Sequence, residues 1–276
     1  MKRCRPLLGT FVEIESDDNT SIDLAFAAVE RVHRLMSAHD PESELSRVNR
    51  GADRLPVAVS EWTAEVIERS LDWSRASEGR FDVVRAGRLA LVSGGLPRHD
   101  DQPLPDADAD WTAVHIANGE IGLARPACLD LGGIAKGFAV DRAIDALRAG
   151  GAARGIVNAG GDLRCFGDAP WPVAVVDPVS RCPFASIDLI DAALATSAGL
   201  PRDGNSLSFE HLPGRDPRWV SVTVRATSAC AADALTKIVW TGGARDSELL
   251  RRHGAEAFAI RADGQVEAIV AEACGA

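Results

Sequence analysis

Hydrophobic residues along this chain follow two rhythms, and the changes between them mark the elements. Leu7 to Glu15 alternates apolar and polar positions around Val12 and Ile14 and reads as a first strand. Ile22 to Met36 carries Leu24, Ala25, Ala28, Val32 and Leu35 at helical spacing and predicts an amphipathic helix. The polar stretch from Met36 to Asn49 offers two helix caps, Asp40 and Ser43. Ser60 predicts the start of a helix bearing Trp62, Val66, Ile67, Leu71 and Trp73 that ends near Gly79. Arg80 to Val84 reads as a short loop entering an extended piece, and Ser93 to Asp110 as a surface loop rich in Gly, Pro and Asp. Thr112 to Leu123 predicts a hairpin turning at Asn118-Gly119.

Leu129 to Leu131 reads as a strand end, followed by a glycine turn and a helix with Val140, Ala143, Ile144 and Leu147 on its core face. Arg154 to Phe166 predicts a strand, a turn at Gly160-Gly161 and a second strand. Further strands fall at 171–177, 185–190, 193–197 and Val220 to Ala226, with an irregular loop at 203–218. A helix at Ala231 to Trp240, a short helix at 246–252 and two strands close the chain. Strands and helices interleave with hairpins, so the pattern predicts an α+β fold rather than a βαβ array. No internal repeat or low-complexity linker divides the 276 residues, which reads as a single domain over 1–276.

Composition narrows the function. A hydrophobic fraction of 46% and a charged fraction of 25% are those of a soluble globular chain. The net charge of −10 and pI near 5.1 exclude nucleic acid as a partner. Six cysteines, without a C-x-x-C pair, exclude a cysteine-ligated zinc site and need not form disulfides. No signal-peptide apolar region and no membrane-length run is present, so the chain as given reads as cytoplasmic, or periplasmic if a leader was removed beforehand.

The candidate chemistry centres on two helices. Gly132 and Gly133 let backbone approach a ligand, and the helix start behind them is an anion site. Lys136 sits in that first turn, where a cation is disfavoured by the helix dipole unless an anion is bound. The chain has 30 Lys plus Arg, yet only Lys2, Lys136 and Lys237 are lysines, which singles out Lys136; the plain alternative is an exposed helix lysine. On the second helix, Asp233, Thr236 and Lys237 share one face. A carboxylate and a hydroxyl suit Mg²⁺, though an Asp near a helix start beside a helical Thr has the same pattern without a metal. G-x-G-x-x-G, P-loop, G-x-S-x-G and H-E-x-x-H signatures are absent. Of the six His, only His211, in the 203–218 loop, stands out as a catalytic candidate.

Taken in order, these segments resemble the FAD:protein FMN transferases, the ApbE family. Leu8-Gly9-Thr10-Phe11 is similar to the family's M-G-T-F. Met36-Ser37 through Ser43-Glu44-Leu45-Ser46-Arg47-Val48-Asn49 resembles its M-S…S-E-[IL]-S-x-[LF]-N segment, and Gly79-Arg80-Phe81-Asp82-Val83 its G-x-F-D-[VP]. Asp130 to Asp141 resembles D-L-G-G-I-A-K-G-Y-A-x-D, with Phe138 in place of tyrosine. Asn158 to Asp162 matches N-[AI]-G-G-D. Ala195-Thr196-Ser197 resembles A-x-S-G, and Ser221 to Val224 followed by Ala232 to Thr236 resembles S-V-T-V…A-D-A-L-x-T.

The resemblance implies two lobes around a FAD-binding cleft, with Arg80, Phe81, Asp82, Asp130, Lys136, Asn158, Gly160, Gly161, Asp162 and Leu212 on the flavin nucleotide. It implies Mg²⁺ held by Asp233, the Thr236 hydroxyl and the Gly133 carbonyl, with Lys237 beside it. It implies catalytic roles for Lys136 and for His211 as base. The implied reaction is Mg²⁺-dependent transfer of FMN from FAD to a Ser or Thr hydroxyl of a target flavoprotein, with AMP released. Hydrolysis of FAD to FMN and AMP, and flavin binding without catalysis, are the alternatives. The chain departs from the family pattern in placing Lys237, not threonine, four residues after Asp233. It keeps a His and a later Asp-Pro in the 211–217 loop without the following T-G, and it shows no leader where members are often exported lipoproteins.

Overall fold

The computed structural model describes residues 1–177, 182–199, 201–202, 206–207, 216–242 and 246–269. Among these, the strands are β1 (Lys2–Leu7), β2 (Thr10–Ser16), β3 (Val57–Ala58), β4 (Val114–Ala117), β5 (Glu120–Leu123), β6 (Gly155–Ala159), β7 (Asp162–Phe166) and β8 (Trp171–Val176). They continue with β9 (Pro183–Leu189), β10 (Ala193–Ala198), β11 (Pro201–Arg202), β12 (Ser206–Leu207), β13 (Trp219–Ala226), β14 (Glu256–Arg261) and β15 (Val266–Ile269). The helices are α1 (Asn19–Met36), α2 (Glu44–Gly51), α3 (Glu61–Ala76), α4 (Val83–Val92), α5 (Ala135–Ala149), α6 (Ala229–Gly242) and α7 (Ser247–Arg252). No helix among the described residues is long and apolar enough to cross a membrane. The α+β class holds. The chain divides into two compact units, one from residues 1–29 and most of the chain after Ala135, the other from 30–135.

The first unit is built on an eight-stranded antiparallel sheet in the order β1-β2-β6-β7-β10-β13-β14-β15. The single strand expected at Leu7 to Glu15 is a hairpin. Leu8 and Gly9 take positive φ (55° and 71°), and this two-residue turn sends Leu7 back to pair with Thr10. The apolar positions beyond the turn, Val12 and Ile14, are fully buried as the alternation requires. α6 packs across β7, β10 and β13. The α5 stripe of Val140, Ala143, Ile144 and Leu147 is wholly buried, as the 3.6-residue period predicts. Gly137 lets α5 close on the start of α6: a Cβ there would lie 2.2 Å from the Ala229 carbonyl oxygen.

α1 forms where expected but with its stripe rotated. Ile22, Ala25, Phe26, Val29, Val32 and Met36 are buried, whereas Leu24 is 52% exposed. The buried set runs i, i+3, i+4, i+7, i+10, i+14, and counting Leu24 and Leu35 mis-phased it.

The second unit holds α2, α3, α4 and the small sheet β3-β5-β4. The Asn118-Gly119 turn joins β4 to β5 with φ of 53° and 76°. Two expectations fail here. Val83 begins α4 rather than an extended piece, because the Asp82 carboxylate accepts from the N–H groups of Val84 and Arg85 and caps a helix. Leu129 to Leu131 has no strand partner. Instead the Asn49 amide bonds both backbone groups of Leu129 (2.8 and 2.9 Å), so one side chain does the work of a neighbouring strand.

Candidate functional site

In the first unit, four charged side chains converge where α5 and α6 begin. Asp162 opens β7 opposite Ala159, so strand alternation aims it at the helix-covered face of the sheet, where it is 1% exposed. It receives the ammonium of Lys136, the second residue of α5. Asp233, on the second turn of α6, is fully buried. One of its carboxylate oxygens accepts from the Gly137 N–H (3.2 Å) and the other from the Lys237 ammonium. Lys237 also donates to the Asp233 carbonyl (3.0 Å), and the Thr236 hydroxyl donates to the same carbonyl (2.7 Å). Thr236 shares a 2.7 Å hydrogen bond with Ser197 of β10.

The face of α6 carrying Asp233 and Thr236 was expected to be the polar one. It is polar but buried, and its groups are all satisfied within the protein. The helix start at α5 was expected to want an anion, and the chain provides its own: Asp162 for Lys136 and Asp233 for the Gly137 N–H.

The electrostatics follow from two buried acids facing two lysines. Burial disfavours the Lys136 ammonium, but the Asp233 and Asp162 carboxylates outweigh it and hold the lysine above its ordinary range. For Asp162, burial and the neighbouring Asp233 charge prevail over Lys136 and Lys237, and its carboxyl is pushed up. For Asp233, burial is outweighed by Lys237 and then Lys136, and its carboxyl is held below the usual range. The lysine side chains remain partly open, 33% exposed for Lys136 and 14% for Lys237. Each lysine thus keeps some exposed surface while paired with its aspartate.

Asn158 is not on this face. It pairs with Leu163 in the β6–β7 register, one residue out of phase with Asp162, so it points to the other side of the sheet. There it accepts from the Gly161 N–H (2.9 Å) and pins the turn in which Gly160 and Gly161 take φ of 67° and 102°. Asn158, Gly160 and Gly161 line a cavity of about 690 Å³ together with Leu163, Trp171 and Thr196. The N-A-G-G-D segment thus serves both faces of one sheet.

In the second unit the motif residues are engaged as follows. Both oxygens of Asp82 accept backbone N–H groups, from Val84 and Arg85 on one side and Trp111 on the other, and burial pushes this carboxyl up against the pull of those bonds. Phe81 is buried, Arg80 donates to the Ser77 carbonyl, and Asp130 accepts from Gly132 (2.7 Å) in the turn that leads through Gly133 into α5. Ser43 caps α2, as expected, while Asp40 closes a turn on Glu42. At α3, Ser60 occupies the expected cap position but makes no side-chain cap bond, because its N–H and hydroxyl go to the Glu44 carboxylate. His211 and Leu212 lie outside the described residues.

A family model described as the ApbE family matches residues 8–260. The chain belongs to the ApbE family. A curated ApbE relative, the FAD:protein FMN transferase of Vibrio cholerae, is 30% identical over 231 residues, covering 75% of this chain and 69% of its own. The FAD:protein FMN transferase of Treponema pallidum is 25% identical over 290 residues, covering 91% and 79%. Among solved structures, the ApbE protein of Thermotoga maritima superimposes with a TM-score of 0.82 at 25% identity, over 97% of this chain and 96% of that one. The flavin transferase ApbE from Vibrio cholerae gives 0.78 at 25% identity over the same shares.

Asp141, the last residue of the D-L-G-G-I-A-K-G-Y-A-x-D segment, had no assigned role. It is the surrogate cap of α6: its carboxylate accepts from the N–H groups of Ala229 and Cys230 (both 2.9 Å) and pairs with Arg164 (2.8 Å). A visible sign was an aspartate three residues before Ile144 and three after Phe138, on the buried stripe of α5. Ser197 was quoted only as part of a strand end, and nothing in the sequence pairs it with Thr236.

The residues expected to hold Mg²⁺ fit it poorly. Both carboxylate oxygens of Asp233 are engaged, and the Thr236 hydroxyl is bonded to both the Asp233 carbonyl and the Ser197 hydroxyl. Among the described residues no group of three or more His, Cys, Asp or Glu is arranged around a metal. A divalent ion on the Asp233 oxygen that Lys237 holds would lie about 4 Å from the ammonium. That repulsion is on the order of 8 kcal/mol at an effective dielectric near 20, against a monodentate contact already made by the lysine.

Proposed function

We propose that this ApbE-family chain transfers the FMN part of FAD to a Ser or Thr hydroxyl of a target flavoprotein and releases AMP. The observation that carries the proposal is the pairing of Lys136 of α5 with Asp162 and of Lys237 of α6 with Asp233, with both lysine side chains partly exposed. Such a site offers two positioned ammonium donors to a diphosphate, each held in place by an aspartate. In phosphoryl transfer the protein contributes mainly positioning and charge stabilisation, because negative charge spreads over the phosphoryl oxygens in the transition state. Asp162 and Asp233 hold the two lysines so that neither has to reorganise during the reaction.

The step forms a bond from the acceptor oxygen to the FMN phosphorus and breaks the bond from that phosphorus to the bridging oxygen, which leaves with AMP. The hydroxyl proton passes to a base, and family resemblance assigns that role to His211. The family resemblance implies Mg²⁺, but the Asp233 and Thr236 oxygens that would hold it are already engaged within the protein.

Incubation with FAD and a flavoprotein bearing an acceptor Thr tests the proposal on a denaturing gel. A fluorescent band on the acceptor, with AMP released in equal amount, is the expected result. Free FMN and AMP without a band would make the chain a FAD pyrophosphatase, and unchanged FAD would leave only flavin binding.

A further inference from the structure

We propose that the Lys237 ammonium is a built-in cation that stands in for a divalent metal at Asp233, so that the chain acts on FAD without one. The inference rests on the transferase reading above and concerns how its site is charged.

Lys237 touches Asp233 twice, at a carboxylate oxygen and at the backbone carbonyl, which are the two oxygens of that residue that face one point beside the helix. A cation ligated by Asp233 would use the same pair. The other carboxylate oxygen is turned to the Gly137 N–H (3.2 Å), and Thr236 points its hydrogen at the Asp233 carbonyl. The side chain of Lys237 is 14% exposed, and its ammonium is held by two oxygens of a fully buried residue. An exposed helical ion pair would have neither the full burial of Asp233 nor the second bond to the carbonyl. The residue choice points the same way. With 30 Lys plus Arg and only three lysines, the chain builds its cations from arginine, yet two of those lysines pair with the two buried aspartates of this site. A lysine is a compact point charge, closer to a metal ion than the planar guanidinium is.

The test uses the full chain and two variables, chelator and residue 237. Manganese binding to the wild-type protein without FAD is measured by electron paramagnetic resonance, together with FAD turnover in EDTA. The wild type is expected to bind no stoichiometric Mn²⁺ at micromolar concentration and to keep its turnover in EDTA within twofold. Lys237→Thr is expected to gain one Mn²⁺ per chain, to lose at least 100-fold of its turnover in EDTA and to regain it with Mg²⁺. Wild-type protein that binds one Mn²⁺, or that is inactivated by EDTA and restored by Mg²⁺, overturns the lysine inference and leaves the transferase reading intact. If FAD is untouched under every condition, the transferase reading falls, and the Mn²⁺ titration of the wild type still decides the role of Lys237. The wild-type arms do not depend on the variant folding.

Discussion

Asp233 binds Lys237, the Gly137 N–H and, through its carbonyl, Thr236, from a position with no solvent exposure. Removing its carboxylate strands a nearly buried ammonium, which costs about 3–5 kcal/mol where a surface pair would cost under about 1. Asp233→Ala is therefore expected to lower the urea midpoint markedly and to cut FAD turnover at least 100-fold. A variant as stable and active as the parent would remove Asp233 from the site. Lys136→Ala is expected to weaken FAD binding at least tenfold in a fluorescence titration, since it removes one of the two open cations and leaves Asp162 unpaired in the interior. An unchanged Kd would reduce Lys136 to an internal ion pair. The cysteines give a third expectation. Burial pushes the Cys128 thiol up to about 11, with a smaller upward push from Asp130, and Cys165 and Cys230 are also buried, whereas Cys4 and Cys182 are exposed. Alkylation at pH 8 followed by mass spectrometry should label Cys4 and Cys182 in the native protein and leave Cys128 unlabelled until urea is added. At this scale the sequence showed which residues are chemical but not what each one holds. Asp233 and Lys136 stood out by position and by the rarity of lysine. Glu44, Asp82 and Asn49 looked like ligand contacts or motif letters, and each proves to bond backbone groups well removed along the chain, at Ser60, Trp111 and Leu129, pairings no local pattern encodes.

Among the elements, α5 and α6 approach closely, and Gly137 makes it possible. Gly137→Ala would place a methyl 2.2 Å from the Ala229 carbonyl oxygen, so either α5 moves away or the Asp141 cap of α6 is lost. Overpacking of this kind costs about 1–3 kcal/mol, and differential scanning calorimetry should show a fall of several degrees in Tm. An unshifted Tm would mean that the two helices are free to separate. The helices and hairpins that carry strong local signals were legible: α5 by its period, β4–β5 by Asn-Gly, β6–β7 by the paired glycines. Three elements were not. The β1–β2 turn uses Leu8 in a left-handed conformation, which propensity does not suggest. α4 depends on Asp82 acting as its cap, and the V-V pair that follows reads as strand. The extended run before Gly132 borrows its hydrogen bonds from Asn49, 80 residues earlier in the chain.

For the whole molecule, ordered motifs spread from Leu8 to Ile260 did what no single segment could, since each is short and several have structural uses. Net charge set the expected manner of binding: a chain at −10 must gather its positive charge locally to hold a diphosphate, and the Lys136 and Lys237 pairs are such a gathering. The partner protein was not legible, because acceptor recognition belongs to a surface rather than to a motif. The most direct test of the central claim is the intact mass of a purified acceptor flavoprotein after incubation with this chain and FAD. The account predicts the gain of one FMN, absent when the acceptor Thr is replaced by Ala. An acceptor of unchanged mass, while FAD is consumed to FMN and AMP, would contradict it.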